Sequence, residues 1–251
     1  MAVEDFNRQI HEQGWYLFED ANSSSLVDRM IIDLEESYLR CREIQVQNGL
    51  DKTEGTCHHL IGQAQSFMDC LAEYEKLDEY FTAYFGGKYI LNSFGGNILK
   101  KGMSYANDIH RDIRSFSGEL PLMLNTLIML DDFTEDNGAT WLMNGGHVLK
   151  DKPSEEFFMQ HAFQIIGKAG SIAVWNSNLW HKSGINTTNK PRRSVTPLLS
   201  RPFFKQGYYY TQFVDSNTSE YLKQILGFYS LTPTTLSHWY SKDRFYRSDQ
   251  G

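Results

Sequence analysis

From about residue 88 onward the chain breaks into short β-rich segments, Tyr89–Phe94, Leu120–Leu130, Phe163–Ile166, Ser171–Trp175, Ser194–Leu199 and Tyr208–Phe213, separated by Gly, Asn, Asp and Pro clusters. Short strands punctuated this regularly must pool their apolar faces, so they predict a sandwich or barrel. The earlier part has a different grammar. Leu26, Met30, Ile31, Leu34 and Tyr38 recur at helical spacing behind the potential caps Asn22-Ser23-Ser24-Ser25, which predicts an amphipathic helix over about 24–40. Phe67, Met68, Leu71, Tyr74, Leu77, Phe81 and Tyr84 repeat the pattern and Gly86-Gly87 supplies its stop. Weaker helical patterning returns between 218 and 240. No repeat, low-complexity tract or linker interrupts the 251 residues. The expectation is one domain over 1–251: helices to about 87 bracing a sheet, a β core over about 88–213, and a helical tail over about 214–251.

Composition narrows the partners. The chain has 31 acidic against 24 basic residues, a formal charge of −7, and no basic run to neutralise a phosphate backbone, so nucleic acid is not expected as a partner. Cys41, Cys57 and Cys70 are odd in number and lack CxxC spacing, which argues against a disulfide framework or zinc knot and for a reducing cytoplasm. The N-terminal stretch carries early acids and no uninterrupted apolar core, and no segment approaches membrane-span length, so neither signal peptide nor membrane association is expected. Aromatic residues make up 14% of the chain, enough to line a pocket for a small molecule.

The first chemical signal is Ile109-His110-Arg111-Asp112. On an extended strand, residues two apart point to the same side, so His110 and Asp112 can share one metal inside a barrel. The predicted strand Ser171–Trp175 then leads into Trp180-His181, a third ligand. Two His and one carboxylate form the facial set of non-haem Fe(II) oxygenases, which leaves three positions for a bidentate 2-oxo acid and dioxygen. Eleven residues beyond His181 lie Arg192 and Arg193. A guanidinium beside the distal His can grip the far carboxylate of 2-oxoglutarate in two-pronged fashion. Strand alternation allows only one of the two to face inward, leaving the other as a surface charge.

His110-Arg-Asp112, then Leu130-Asp-Asp-Phe-Thr-Glu-Asp-Asn137-Gly138-Ala139-Thr140 with Asn144-Gly145-Gly146-His147, then Trp180-His181-Lys-Ser183-Gly184 and Pro191-Arg192-Arg193 resemble, in order and spacing, the phytanoyl-CoA dioxygenase family over about residues 88–213. The tail Gln250-Gly251 also looks like bacterial members. The resemblance implies a mainly β fold with flanking helices (α+β), built on a double-stranded β-helix of the jelly-roll, cupin-like kind. It implies Fe(II) held by His110, Asp112 and His181, 2-oxoglutarate on Arg192 and Ser183, and dioxygen as cosubstrate; Asn125 is a further candidate for the cosubstrate's other end. Members that carry Pro-Gly-Ser-His differ from this chain at Asn144-Gly145-Gly146-His147. Related halogenases put a small residue where Asp112 stands, so halogenation is not expected.

The expected activity is oxidation of an unactivated C–H bond of a small metabolite, releasing succinate and CO₂. Hydroxylation, desaturation, cyclisation and epimerisation all remain open. Natural-product or amino-acid-like substrates fit better than a CoA thioester, because the chain is acidic and shows no basic cluster for CoA phosphates. Two alternatives are a metal-dependent hydrolase using the same triad and a non-catalytic binding member of the fold. His58-His59 reads as a polar loop, His147 as structural, and His11, His161 and His238 as lacking any partner. Trp141, Trp175, Tyr105, Phe116 and Arg114 stand close to the motifs as candidate substrate contacts.

Overall fold

The computed structural model describes residues 2–50, 54–104 and 106–241, so Tyr105 and the Gln250-Gly251 tail lie outside the described residues. In chain order the elements are α1 (Val3–Glu12), β1 (Trp15–Phe18), α2 (Ser24–Gln47), β2 (Thr56–His58), α3 (Gln65–Glu73), α4 (Asp78–Phe85), β3 (Ile90–Leu99), β4 (Met123–Met129), β5 (Trp141–Met143), α5 (Glu155–His161), β6 (Ala162–Gln164), β7 (Ile172–Asn176), β8 (His181–Lys182), β9 (Arg192–Ser200), α6 (Glu220–Ile225) and α7 (Leu236–Trp239). The strands form two antiparallel sheets, a six-stranded one ordered β1-β7-β4-β9-β3-β2 and a three-stranded one ordered β6-β5-β8.

Alternation along the central strands divides the apolar residues between two cores. Ile128 of β4, Ile172 and Val174 of β7, and Val195 and Leu199 of β9 pack against Phe6, Leu34, Phe67 and Phe81 of the helices. Their neighbours Leu127, Met129, Ala173 and Trp175 turn the other way and pack with Leu142 of β5 and Leu179. The helices therefore cover one face of the large sheet, as expected, and the small sheet lies across the other.

Several details depart from the expected elements. α2 continues to Gln47; Ser23 caps it, its hydroxyl accepting the Leu26 amide at 3.3 Å. The second helical stretch is split by a 3-10 turn over Tyr74–Leu77. The N-terminal part also supplies β1 and β2, which occupy the two edges of the large sheet. Tyr208–Phe213 is not a strand: Gly207 donates a backbone hydrogen bond to the Asn92 carbonyl of β3 at 2.8 Å, and the chain then curls into a 3-10 turn over Tyr210–Phe213 instead of pairing further along β3.

Arg193 was expected at the surface, yet it is only 17% exposed and clamps the sheet to α2. Its Nε and Nη2 donate to the two carboxylate oxygens of Asp131 at 2.9 and 2.7 Å, and Nη1 donates to Glu35 at 2.7 Å. A bidentate, mostly buried pair is worth more than a surface bridge and strands a carboxylate when broken. Arg193→Ala is expected to cost about 1–3 kcal/mol in urea unfolding. An unchanged unfolding midpoint would show that the clamp contributes nothing.

Candidate metal and carboxylate site

His110 and His181 meet through the backbone, each amide donating to the other's carbonyl at 2.9 Å. This corrects the expected strand over His110–Asp112. His110 makes a single bridge, and Asp112 sits in the bend that follows, so a turn of the chain brings its carboxylate round. Nδ1 of His110 lies 2.8 Å from the Asp108 carbonyl and Nδ1 of His181 lies 2.9 Å from the Leu179 carbonyl. A carbonyl only accepts, so each Nδ1 carries the proton and each Nε2 keeps a free lone pair. Those Nε2 atoms stand 3.8 Å and 3.3 Å from the Asp112 carboxylate oxygens. Among the described residues this is the one group of three such donors able to converge, its ligand atoms all within 4.8 Å of one another.

Electrostatics favour the ligating state. Burial pushes the His181 pKa down, partly opposed by Asp112, which keeps the ring neutral as a ligand must be. Arg111, between the two donors in sequence, faces away. Its guanidinium sits 4.5 Å from the Trp180 ring centre and 5.2 Å from that of Phe116, and Nη2 donates to the Lys150 carbonyl at 2.5 Å. It thereby pins the donor-bearing loop against the residue that precedes His181.

Arg192 is the inward member of its pair, 2% exposed. Nη2 donates to the Gly138 carbonyl at 2.8 Å, Nη1 donates to Ser194 Oγ at 3.3 Å, and the guanidinium lies 4.4 Å from the Phe133 ring centre. Burial lowers its pKa to about 10, so it is still a cation at neutral pH. Its Nε–H is buried without a partner. Gly138 adopts φ +86°, and a Cβ there would lie 3.0 Å from the Asn186 nitrogen and the Gly184 carbonyl oxygen, so only glycine allows this close approach. A buried cation with an unused donor and, among the described residues, no touching carboxylate could receive an anionic ligand.

A cavity of about 190 Å³ between the sheets joins these parts: His110, Asp112, His181, Arg192, Ser183 and Asn125 all line it. Ser183 Oγ donates to the Gly184 carbonyl at 3.1 Å and Asn125 Nδ2 donates to Ser177 Oγ at 3.3 Å. Of the expected substrate contacts, Trp175 lines the cavity and Trp141, Phe116 and Arg114 do not. His58, Ser93, Asn97 and Thr196 line it unanticipated. The period-two pattern of β3 and β9 carried that signal for Ser93, Asn97 and Thr196. A larger cavity of about 430 Å³ beside α1 and α4 holds none of the converging donors. His147 there is buried, and its Nε2 donates to the His11 carbonyl at 2.9 Å.

Burial lowers the pKa of His58, His59, His147 and His181. These rings are neutral in the folded state, so their contribution to stability is complete above the unfolded value near pH 6.5 and is lost as pH falls through the lowered folded values. Urea unfolding of metal-free protein is expected to show stability falling between about pH 6.5 and 5. Stability that holds or rises over that interval would contradict this.

The profile of the phytanoyl-CoA dioxygenase (PhyH) family matches residues 44–194. Uncharacterized protein Rv1501 of Mycobacterium tuberculosis is 34% identical over 154 residues, 59% of this chain and 56% of that protein. The chain thus spans about half the length of the curated relatives it matches. In crystal structures, AviO1 from Streptomyces viridochromogenes superposes with a TM-score of 0.64 at 19% identity, covering 80% of this chain and 96% of that one. HygX from Streptomyces hygroscopicus, with nickel and 2-oxoglutarate bound, superposes with a TM-score of 0.62 at 13% identity, covering 82% and 90%. These likenesses bear out the expected mainly antiparallel jelly-roll fold with flanking helices.

Proposed function

The chain belongs to the phytanoyl-CoA dioxygenase family, and from that premise we propose that it is a non-haem Fe(II)- and 2-oxoglutarate-dependent oxygenase acting on an unactivated C–H bond of a small metabolite. The observation that carries this reading is the buried, incompletely bonded Arg192 in the same cavity as the His110, Asp112 and His181 donors. A metal triad alone serves a hydrolase equally well; a triad beside a carboxylate receptor calls for an anionic cosubstrate.

His110, Asp112 and His181 would hold Fe(II). Arg192, with Ser183, would bind the distal carboxylate of 2-oxoglutarate, and Asn125 is the candidate for its other end. When bound, the iron supplies dioxygen activation, with 2-oxoglutarate consumed to succinate and CO₂. The protein's share is orientation and exclusion of water: Leu99, Leu127 and Trp175 give the cavity apolar wall, and the carbonyls of Asp108 and Leu179 hold the two imidazoles in the ligating tautomer.

The substrate class we propose is a natural product or other secondary metabolite, undergoing hydroxylation or a related desaturation, cyclisation or epimerisation. Arg192 is the only Lys or Arg among the described residues lining the cavity, which leaves nothing there to hold CoA phosphates. No helix among the described residues is long and apolar enough to cross a membrane. All three cysteines are free thiols, in keeping with a cytoplasmic setting.

The test is oxygen uptake and succinate release by the purified chain supplied with Fe(II), with and without 2-oxoglutarate. Oxygen consumption that requires 2-oxoglutarate and disappears when Zn(II) replaces Fe(II) is the expected result. Turnover of an ester or amide without oxygen or 2-oxoglutarate would favour the hydrolase instead.

A further inference from the structure

β2 is a three-residue edge strand whose register on β3 decides where its side chains point. Thr56 stands opposite Asn97, Cys57 opposite Gly96 and His58 opposite Gly95. Laterally paired residues share a face of the sheet. Gly95 and Asn97 line the cavity, so His58 belongs to the cavity face, and it does line it. Gly95 in turn pairs with Thr196 of β9, which makes a row His58, Gly95, Thr196 across three strands.

The groups of that row converge at its centre. A Cβ on Gly95 would come within 3.1 Å of Thr196 Oγ1, 3.3 Å of the Cys57 carbonyl oxygen and 3.4 Å of His58 Nδ1, so glycine there is what lets the two side-chain hydrogen-bonding groups approach one another across the strand. Ser93, the next cavity-facing residue of β3, adds a hydroxyl. Among the described residues the His58 ring has no hydrogen-bond partner. His58 is exposed at the edge of the cavity, and partial desolvation lowers its pKa, which favours the neutral imidazole with one donor and one acceptor.

The mount is rigid. His59 is held at φ +57°, its ring stacks on Tyr208 at 4.6 Å, and its Nδ1 lies 2.9 Å from the Tyr210 hydroxyl. A non-glycine residue in that conformation is kept there by its surroundings. Along β9, Thr196 lies four residues from Arg192, about 13 Å at strand rise, so this row is separate from the carboxylate receptor. The charged groups lining the cavity, Asp112 and Arg192, are both committed to metal and cosubstrate on the reading above.

We propose that His58, Ser93 and Thr196 form the substrate-recognition subsite of this cavity, that it takes a neutral hydroxyl or carboxamide group, and that His58 is its specificity-determining residue. The assignment of this subsite to the substrate rests on the oxygenase reading, whereas its preference for a neutral group stands on the row itself.

The test uses crystals of the full chain grown with Ni(II) and 2-oxoglutarate and soaked separately in acetamide, glycerol, acetate and methylammonium. Acetamide and glycerol are expected within hydrogen-bond distance of His58 and Thr196, with acetate and methylammonium absent from that position. His58→Phe should lose both neutral probes, and His58→Gln, which keeps a donor and an acceptor, should retain them. A charged probe at the row, no probe there in the wild type, or retention in His58→Phe would overturn the proposal. Acetamide at His58 in crystals where Ni(II) and 2-oxoglutarate fail to bind at His110, Asp112, His181 and Arg192 would sink the oxygenase reading and leave the neutral subsite standing.

Discussion

Replacing Arg192 with Met is expected to weaken 2-oxoglutarate binding at least about 30-fold while leaving the ligand-free protein as stable as the wild type or more so. Removing one partner of a desolvated charge pair costs about 2–5 kcal/mol, and each 1.4 kcal/mol is tenfold in affinity. The ligand-free effect has the opposite sign because the Arg192 cation is buried with an orphaned Nε–H and touches no carboxylate. An uncompensated buried charge destabilises, and an apolar side chain of similar length over Phe133 removes that cost. Arg192→Lys should fall between, since a point charge cannot reproduce the fork. Calorimetric titration and urea unfolding give the two numbers. Undiminished 2-oxoglutarate affinity in the Met variant would remove Arg192 from the receptor; a ligand-free loss of several kcal/mol would make it a structural strut for Gly138.

His181→Ala is expected to lower metal affinity at least about 100-fold and to abolish oxygen consumption. Second-sphere changes alone cost 10- to 100-fold, and this variant removes a donor itself. His181 is the buried donor, with a side chain 7% exposed, against 35% for His110 and 32% for Asp112. The remaining pair would hold a metal only at the open side of the cavity. Asp112→Asn separates charge from shape: it keeps the side-chain volume and removes the negative charge, so metal affinity should again fall while unfolding in urea changes little. Wild-type metal affinity in either variant, read by equilibrium dialysis with Fe(II) or Co(II), would show that the triad is not the ligand set.

The donors were legible in the sequence because they are few, chemically distinctive and ordered. Period-two alternation lets only one of the adjacent Arg192 and Arg193 enter the cavity, and the spacing shared with the family points to Arg192. Along the chain His110 and Asp112 read as residues of one strand, whereas a bend after a single bridge brings the two side chains together with His181. β1 and β2 escaped notice because segments of four and three residues carry too little periodicity to stand out from helix-rich surroundings. Tyr208–Phe213 has strand-like composition but turns into a 3-10 helix after a single backbone hydrogen bond from Gly207 to β3. His58 reads as part of a polar loop along the chain, and only the register of β2 on β3 turns it toward the cavity. Pairing partners distant in sequence decide such residues, and no local pattern encodes them.

The most direct measurement is an anaerobic titration with Fe(II) and 2-oxoglutarate, followed through the weak visible metal-to-ligand charge-transfer band. The band should form in the wild type, fail to form in His181→Ala, and require far more 2-oxoglutarate in Arg192→Met. Absence of the band in the wild type at saturating iron and cosubstrate would contradict the assignment of His110, Asp112 and His181 with Arg192 as one iron and 2-oxoglutarate site.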